Sequence, residues 1–468
     1  MESINKVESN LIRSIHPFIE KELRPFLKIP SYTRNKQGIK EAKEFIISYI
    51  NDFADEISEY QGITNPLILA NVEGKAKDKL LIYMMYDTQP INNEIEWISN
   101  PFGAEIHTLE SPLDMLGECI IARGAYNSKT PLISFLNVVR EFKRSNELPI
   151  SLLLLFDGEE EIGSPTLFKF IEEKKELFKD STDAYYPSTK QDLTGKSIIK
   201  LGYKGILSLT ITVSTKNKEP HSAYSAMIPN PATDLISLLG SIYSNGEFQI
   251  ETLKKPYEMT KEEILVLNEL IKKLDLQNIK KKVGIQQTRE NDPKSDFINY
   301  LFNPTFNIST LKSGFLEEGS KNYVPNKAIC NLDIRFAHTA SANKVFEEIK
   351  EKIDEFTKSS NSNIELVKHI GYESSRVSKD SILVESLIKS ANKLEVETEI
   401  WPISAAAAPL SKIQEGLGLN FITGGLGIGG SAHSANEFIQ CSSIINSRLS
   451  YFYFLQNYSQ LNKERAKD

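Results

Sequence analysis

Three consecutive carboxylates, Glu159, Glu160 and Glu161, follow an apolar run at 152–156. Like charges in a row cost free energy unless a bound cation or a proton-transfer reaction requires them. Carboxylates of this kind can hold a metal ion or take a proton from water as a general base. We therefore predict a metal-and-base site at the triplet, although the cation ligands expected elsewhere in the chain are largely missing.

The residues around the triplet predict its place in the fold. The apolar run is long enough for a buried strand, and Ser164 and Pro165 are typical of a helix N-cap and a first helical residue. Ser164 has no His and Asp partners that would make it a nucleophile. The triplet is thus expected where a strand ends and a helix begins, which is where open α/β sheets bind ligands.

Strands and helices alternate along much of the chain, as in a layered α/β domain. The pattern predicts strands near 66–71, 80–86 and 149–156, and helices over 4–24, 38–53, 129–145, 164–178, 379–394 and 437–460. Between them it changes to strands at 206–213, 305–310 and 328–336 and helices at 232–244 and 341–357. The predicted fold class is α/β: a mixed-sheet α/β/α catalytic-type domain (1–205 plus 373–468) with an inserted α+β lid or dimerisation domain (206–372).

Composition excludes several classes of protein. A chain of 468 residues favours two domains. The net charge is −7, and the short lysine run at 278–283 is no basic stripe, so no nucleic-acid partner is expected. Three cysteines without CxxC spacing indicate neither disulfides nor a thiolate metal site. No signal core or membrane-length apolar stretch is present, so a cytoplasmic protein is expected.

Seven motifs in register resemble the M20 family of metallopeptidases, nearest its carnosinase-like dipeptidases. They are LLIYMMYDTQP (80–90), WISNPF (97–102), ARGAYNSK (122–129), FDGEEEIGSP (156–165), PHS with PNPA (220–222, 229–232), GSKNYVP with DIR (319–325, 333–335) and AHSANE (432–437). The resemblance implies hydrolysis of a peptide or amide bond with two zinc ions held by five protein ligands. The metals polarise the carbonyl and activate a bridging water.

The resemblance assigns some of these roles to suitable residues. Glu160 matches the general base, Glu161 a metal ligand, and His433 the final histidine ligand. Asp87 matches the carboxylate that orients the family's first histidine ligand. Lys129 lies in the matching region, and we expect it to neutralise part of the charge on Asp87, Glu160 and Glu161.

Three of the five ligand positions depart from the family pattern. The first histidine falls on Met85, the bridging carboxylate on Asn127 and the second carboxylate near Thr189. A thioether suits zinc poorly, and a neutral amide cannot supply an anionic bridge. A two-zinc site is therefore not expected, and the cofactor is either absent or a single weakly bound divalent metal, zinc. Among the other histidines, His107 is nearest in sequence, and it is expected to be structural or solvated.

Substrate residues are also implied by the resemblance. His221 matches a histidine that completes the partner subunit's active site, and Asn322 and Arg335 match substrate-binding residues. The family's glycine-rich substrate loop falls on 405–409 (AAAAP), where Ala407 adds a Cβ and lacks a hydroxyl. The glycines of 425–430 resemble a dinucleotide loop only loosely, and a turn before His433 is the preferred interpretation.

Three functions stay open from the sequence. One is a hydrolase with one metal on Glu161 and His433 and with Glu160 as base. A second, favoured on ligand chemistry, is a non-catalytic homologue that binds an amino-acid-like ligand or acts as a subunit. The third is a metal-free hydrolase that uses Glu160 and Lys129. A homodimer is expected through the inserted domain, at a strand edge near 206–213 or helix 232–244, and a heterodimer with an active paralogue is an alternative.

Overall fold

The computed structural model describes residues 2–91, 94–276, 285–408 and 410–465. The strands are β1 (Glu56–Tyr60), β2 (Leu67–Val72), β3 (Lys79–Met85), β4 (Glu105–Thr108), β5 (Glu118–Ile121), β6 (Ser151–Asp157), β7 (Ser181–Pro187), β8 (Ser197–Lys200), β9 (Gly202–Ser214), β10 (Tyr243–Ser244), β11 (Glu247–Phe248), β12 (Thr305–Ser313), β13 (Lys327–Phe336), β14 (Asn363–Tyr372), β15 (Ser375–Arg376), β16 (Thr398–Trp401), β17 (Ser404–Ala407), β18 (Asn420–Gly424), β19 (Gly429–Gly430) and β20 (Phe438–Gln440). The lysine run at 278–283 lies outside the described residues.

The α-helices are α1 (Glu2–Arg13), α2 (Ile15–Phe18), α3 (Arg24–Leu27), α4 (Lys36–Ile50), α5 (Lys129–Arg144), α6 (Pro165–Glu173), α7 (Pro231–Ile242), α8 (Glu251–Lys254), α9 (Lys261–Lys273), α10 (Pro293–Phe302), α11 (Ala342–Thr357), α12 (Ile382–Lys393), α13 (Leu410–Leu417) and α14 (Ile444–Arg465). The predicted single helix over 4–24 is interrupted, since a π-helical turn at Ile19–Leu23 separates α2 from α3. The predicted helix at 437–460 begins later, because strand β20 precedes it.

The chain forms two compact units, and the first contains Met1–Leu201, Val377–Trp401 and Lys412–Asp468. Its main sheet has the order β1-β2-β6-β3-β7-β18. The β3, β6, β7 and β18 strands run parallel, whereas β1 and β2 pair antiparallel, so the sheet is mixed as predicted. Every residue of β6 is buried, as expected for a central strand of a sheet covered on both faces. A second sheet in this unit has the order β19-β20-β5-β4.

The second unit contains Gly202–Arg376 and Pro402–Ser411. Its antiparallel sheet has the order β12-β13-β9-β14. Residues of β13 alternate between buried and partly exposed, which is typical of an antiparallel strand with one covered face. The buried face of the sheet packs against α7 and α11 around Leu209, Leu238 and Ile349.

Two sequence predictions about the second unit need correction. Strand β9, which includes 206–213, is a central strand between β13 and β14, so it offers no edge for dimerisation. The segment Pro402–Ser411 belongs to the second unit although the sequence placed it with the first. The reason is that β17 pairs with β9 and so joins the inserted domain's sheet.

Among the described residues, no helix has the length and apolarity needed to cross a bilayer.

Candidate functional site

Most predicted site residues of the first unit follow strands of its main sheet. Met85 ends β3, Glu160 follows β6 by three residues, and Thr189 follows β7 by two. Because β3 pairs in parallel with both β6 and β7, the carboxyl ends of these strands meet at one edge. This is the edge where α/β sheets bind ligands, as the sequence predicted for the triplet.

The three carboxylates of the triplet have different surroundings, and Glu159 is structural. Its Oε1 accepts hydrogen bonds from the backbone N–H groups of Thr64 (2.6 Å) and Asn65 (2.7 Å), and its Oε2 accepts one from that of Thr166 (2.9 Å). Thr166 is in the first turn of α6, so Glu159 satisfies a free helix N–H. The predicted Ser164 cap is wrong: Ser164 adopts a left-handed conformation and makes no side-chain capping bond.

Asp87 supports the turn that carries the other two carboxylates. Its Oδ1 accepts from the backbone N–H of Glu160 (3.1 Å), and its Oδ2 accepts from that of Glu161 (3.1 Å) and from the hydroxyl of Thr33 (2.9 Å). The side chain is fully buried. Asp87 therefore positions the Glu160–Glu161 turn directly. This structural role does not depend on the histidine ligand that Met85 replaces.

Glu161 is surrounded by hydrogen-bonding side chains. Its Oε2 accepts from Gln89 Nε2 (2.7 Å), while its Oε1 lies 3.2 Å from Asn127 Nδ2 and 3.3 Å from His433 Nε2. Asn127 Nδ2 and His433 Nε2 are themselves 3.1 Å apart. The hydrogen bond to Glu161 raises the pKa of His433, which favours an imidazolium–carboxylate pair. Gln89 was not predicted as a site residue, although it lies only two residues after Asp87.

A buried ion pair fixes the loop that carries Asn127. Glu437 Oε2 accepts from Arg123 Nη1 (2.7 Å) and from the backbone N–H of Gly124 (3.1 Å). Its Oε1 accepts from the backbone N–H groups of Tyr126 (3.0 Å) and Asn127 (2.7 Å). The Arg123 and Glu437 side chains are only 3% and 1% exposed. Glu437, the last residue of the AHSANE motif, thus positions the loop that carries Asn127.

Glu160 has an unfavourable electrostatic environment for a carboxylate. Burial, followed by the charges of Glu161, Asp87 and Asp157, raises its pKa well above the usual range, and the charge of Lys190 opposes this shift. Burial also raises the pKa of neighbouring Asp157 to about 6. Protonated carboxyl groups are thus favoured at this sheet edge.

Lys129 does not neutralise these carboxylates, contrary to the expectation. Its Nζ donates to the backbone carbonyls of Phe26 (3.2 Å) and Ile29, and burial lowers its pKa to about 7. The lysine whose charge acts on Glu160 is Lys190, which lies on the loop after β7. Lys190 was missed because that loop matches no family motif with a lysine.

Met85 and Thr189 are buried beside this site. Met85 is 1% exposed, and its backbone carbonyl accepts from the hydroxyl of Ser128 (2.9 Å). Thr189 is 2% exposed, and the backbone of Gly427 packs against its methyl group. Within the described ranges, no three His, Cys, Asp or Glu side chains are close enough to hold a metal ion together.

The remaining candidates of the first unit lie in structural positions. His107 is on β4, where its Nε2 contacts Glu105 Oε2 at 3.2 Å. The glycine segment 425–430 follows β18 and is not followed by an α-helix until Ile444. Its close approach to the loop after β7 explains the glycines: Gly427 has φ +128°, and its N–H donates to Gln191 Oε1 (2.8 Å).

Four predicted substrate residues lie in the second unit. His221 Nδ1 accepts from the backbone N–H of Ala223 (3.1 Å), so a neutral ring carries its proton on the exposed Nε2. The Asn322 carbonyl accepts from the N–H of Ser222 (3.2 Å), which places Asn322 beside His221 along the chain path. Arg335 is near the end of β13, and Ala407 ends β17. Pro409 of the substrate loop lies outside the described residues.

The architecture and the site define a class of protein: an α/β domain with acidic groups at its strand ends and an inserted α+β domain. Residues 81–457 match the model of peptidase family M20/M25/M40. The chain therefore belongs to this family, as its motifs indicated, and it is similar to the dipeptidases of that family.

Individual relatives agree with this assignment. The chain is 27% identical over 303 residues to the Cys-Gly metallodipeptidase dug1 of Schizosaccharomyces pombe. The aligned region covers 64% of this chain but only 62% of that enzyme. It is 23% identical over 366 residues to the human Beta-Ala-His dipeptidase (76% of this chain, 68% of that one). Among solved structures, an M20 metallo-carboxypeptidase from Sulfolobus solfataricus has a TM-score of 0.84 at 28% identity, covering 94% of this chain and 98% of that one.

Proposed function

We propose that this M20-family chain has lost two-zinc peptide hydrolysis and acts as a non-catalytic ligand-binding protein or subunit. The observation that carries the proposal is the residue pair Met85 and Thr189, both buried at positions where the family binds one of its metals. A thioether and a hydroxyl are poor zinc ligands. The residues present therefore do not fit a second zinc ion.

The environment of Glu160 supports the same proposal. A general base must be ionised to accept a proton from water. In this chain, burial and three neighbouring carboxylates raise the pKa of Glu160, and the charge of Lys190 opposes them. With Met85 and Thr189 in place of two metal ligands, Glu160 lacks the second metal charge that would favour its ionised form.

A direct test measures metal content and turnover together. We expect the purified chain to contain substoichiometric zinc after dialysis against zinc, and not to hydrolyse Cys-Gly or β-Ala-His. The variant Met85→His/Asn127→Asp/Thr189→Asp restores the ligand types and is expected to bind zinc in stoichiometric amounts. The proposal is wrong if the unmodified chain hydrolyses a dipeptide and loses that activity both with a chelator and in Glu160→Gln.

A one-metal hydrolase is the second candidate, and one geometric observation favours it. The Glu161, Asn127 and His433 side-chain atoms lie 3.1–3.3 Å from one another. Two ligands of a tetrahedral zinc with bonds of about 2.0–2.1 Å are roughly 3.3–3.4 Å apart. With its amide turned, Asn127 would present oxygen at this position, and a metal held there would polarise a carbonyl and activate water.

Zinc titration separates the two candidates. One-metal chemistry requires saturable zinc binding that weakens strongly in His433→Ala, together with turnover that Glu160→Gln abolishes. Gln89→Ala removes a hydrogen bond to Glu161 without removing a proposed ligand, so it serves as the matched variant. Absence of saturable binding in the unmodified chain would eliminate this candidate.

We also propose a homodimer through the second unit, with pairing to an active paralogue as the alternative. Strand β12 is an edge of the sheet, and Leu311 on it is 56% exposed. Helix α7 packs against β13, the neighbour of β12, and its Ile236 is 61% exposed. An edge strand and an apolar helix face can pair with their own copies about a two-fold axis.

Light scattering on the purified chain tests the dimer. Ile236→Glu is expected to give monomers, whereas Leu265→Glu, at an equally exposed position on α9, leaves the mass unchanged. A monomeric unmodified chain, or a dimer insensitive to Ile236→Glu, contradicts this interface. Co-purification of a second M20 chain from the native source would favour the paralogue.

The free Cys119, Cys330 and Cys441 agree with the proposed cytoplasmic location.

A further inference from the structure

The smaller sheet of the first unit ends at strand β4 (Glu105–Thr108), which is open to solvent. Residues 105–108 pair with β5 in an unbroken antiparallel register. Among the described residues, no strand pairs with the other side of β4. Glu105, Ile106 and Thr108 are exposed, and His107 is half-buried. The outer backbone N–H and C=O groups of β4 are therefore accessible to a further strand.

Edge strands of stable proteins are usually protected against pairing with other chains. Proline, lysine and β-bulges are common protections, and β4, whose residues are all described, has none of them. The edge strand β1 of the main sheet differs, because Lys43 Nζ lies 2.5 Å from Glu59 Oε2 on that strand. The two acidic edges of the first unit are thus not equivalent, and β4 is the one without a lysine partner among the described residues.

Two rows of side chains reach this edge on opposite faces of the sheet. Ile439 on β20 pairs with Ile120 on β5, which pairs with Ile106 on β4. The first two are fully buried, but Ile106 is 37% exposed. On the other face, Ile121 pairs with Glu105, whose side chain is 49% exposed. An added strand would extend the first row with an apolar side chain and the second row with a cation.

The segment 105–121, which contains β4 and β5, is strongly negative. It has no lysine or arginine. Its carboxylates are all on exposed residues, namely Glu105, Glu110, Asp114 and Glu118. A second copy of β4 would bring the same negative charge to this edge, whereas a basic strand would be attracted to it.

The arginines next to this segment do not neutralise it. Arg24 Nε donates to the backbone carbonyl of Ala104 (2.8 Å), but its Nη1 is paired with Glu20 (2.6 Å). Arg123 is buried and paired with Glu437 (2.7 Å). Both guanidinium groups thus have carboxylate partners outside 105–121, and the charge of the segment is available to a partner.

We propose that β4 binds an extended basic segment of a partner protein, which joins this sheet as an additional strand. The segment alternates basic and apolar residues, so that an apolar side chain packs beside Ile106 and a basic one lies beside Glu105. Strand addition of this kind derives affinity from main-chain hydrogen bonds and specificity from alternate side chains. Strand β4 lies between the motifs at 97–102 and 122–129, and neither motif assigns it a role.

Fluorescence anisotropy of the full chain with a dye-labelled peptide, acetyl-KVKVKVK-amide, tests the proposal. Saturable binding is expected at low ionic strength, and it should weaken as salt is added. Glu105→Lys reverses the charge beside the peptide and is expected to weaken binding by about fivefold or more. Glu56→Lys is the matched control, because it reverses the charge of an exposed residue on the other acidic edge, β1. Thermal unfolding of each variant checks that it remains folded.

Two further peptides separate strand pairing from simple charge attraction. Acetyl-KVKPKVK-amide keeps the charge, but its proline cannot donate to a strand ladder, so much weaker binding is expected. Acetyl-EVEVEVE-amide has the opposite charge and is expected not to bind. Hydrogen exchange locates the bound peptide, since the amides of 105–108 should gain protection and those of β1 should not.

Several results would overturn the proposal. They are the absence of saturable binding, equal binding by the proline peptide, unchanged affinity in Glu105→Lys, and protection by the peptide elsewhere on the chain. Protection of 105–108 that rises with the concentration of the chain alone would identify a second copy as the occupant and would also overturn it. Zinc content and dipeptide hydrolysis are measured independently of these results, so the function proposed above is tested separately.

Discussion

Replacing Glu437 by Gln is expected to destabilise the first unit strongly. The carboxylate accepts four hydrogen bonds, from Arg123 and from the backbone at 124, 126 and 127. Gln keeps the size of the side chain but leaves the Arg123 charge buried without a counter-ion, and its amide nitrogen faces other donors. Removing one partner of a buried ion pair costs about 3–5 kcal/mol, which is a large part of a usual stability of about 5–15 kcal/mol.

Urea unfolding followed by tryptophan fluorescence measures this loss. The chain has two tryptophans, Trp97 and Trp401, and both lie in the first unit. Trp97 is a local reporter, because its ring centre is 5.3 Å from the Arg123 guanidinium carbon. Glu105→Gln is the control, since Glu105 is an exposed carboxylate with one contact, to His107.

A double variant tests the cause of the destabilisation. Arg123→Met in the Glu437→Gln background removes the unpaired charge, so part of the lost stability is expected to return, with a coupling of about 0.5–3 kcal/mol. If Glu437→Gln unfolds within about 0.5 kcal/mol of the unmodified chain, the reasoning about this ion pair is wrong. An additive double variant would refute the charge argument while leaving the lost backbone hydrogen bonds as the cause.

Three further changes probe the same unit. Burial raises the pKa of Asp157 to about 6, so this carboxyl contributes stability that is present at about pH 4 and is lost as the pH rises through 6. Asp157→Asn should therefore flatten the pH dependence of the free energy of unfolding between these values. An unchanged slope would contradict this. Glu159→Gln should lower the free energy of unfolding by about 1–3 kcal/mol, because one of the three backbone N–H groups that donate to Glu159 loses its acceptor. Glu160→Gln is the matched control, and equal losses in the two variants would disprove the structural role of Glu159. Gly427→Ala should lower the unfolding midpoint, since its Cβ would lie 2.6 Å from Thr189 Cγ2 at φ +128°; the companion Thr189→Ser removes that methyl and should recover part of the loss.

The family and most elements of the first unit could be predicted from the sequence because motif order and apolar periodicity are local properties. Strands β2, β3 and β6 and helix α5 lie within a few residues of their predicted bounds. The order of strands in the sheet of the second unit could not be predicted. The sequence pattern of β9 is equally compatible with an edge strand and a central strand of that sheet. Pairing with both β13 and β14 makes β9 central.

The hydrogen-bond network of the site was less predictable than its residue types. The family motif assigns roles to Glu160 and Glu161, but it does not say how the chemically identical Glu159 differs from them. The backbone N–H groups at 64 and 65, almost a hundred residues away, make the distinction. Glu437 is more than 300 residues from the 123–127 loop, so their contact was not predicted from the sequence.

The bonds of Asp87 to the Glu160 and Glu161 N–H groups have an evolutionary consequence. They and the Glu437 network hold both halves of the candidate site with protein atoms alone. Substitutions at positions 85, 127 and 189 are therefore expected to leave the polypeptide around them folded. The site is a frame that protein atoms alone preorganise, so the proposed loss of zinc chemistry is expected to be reversible by a few point mutations.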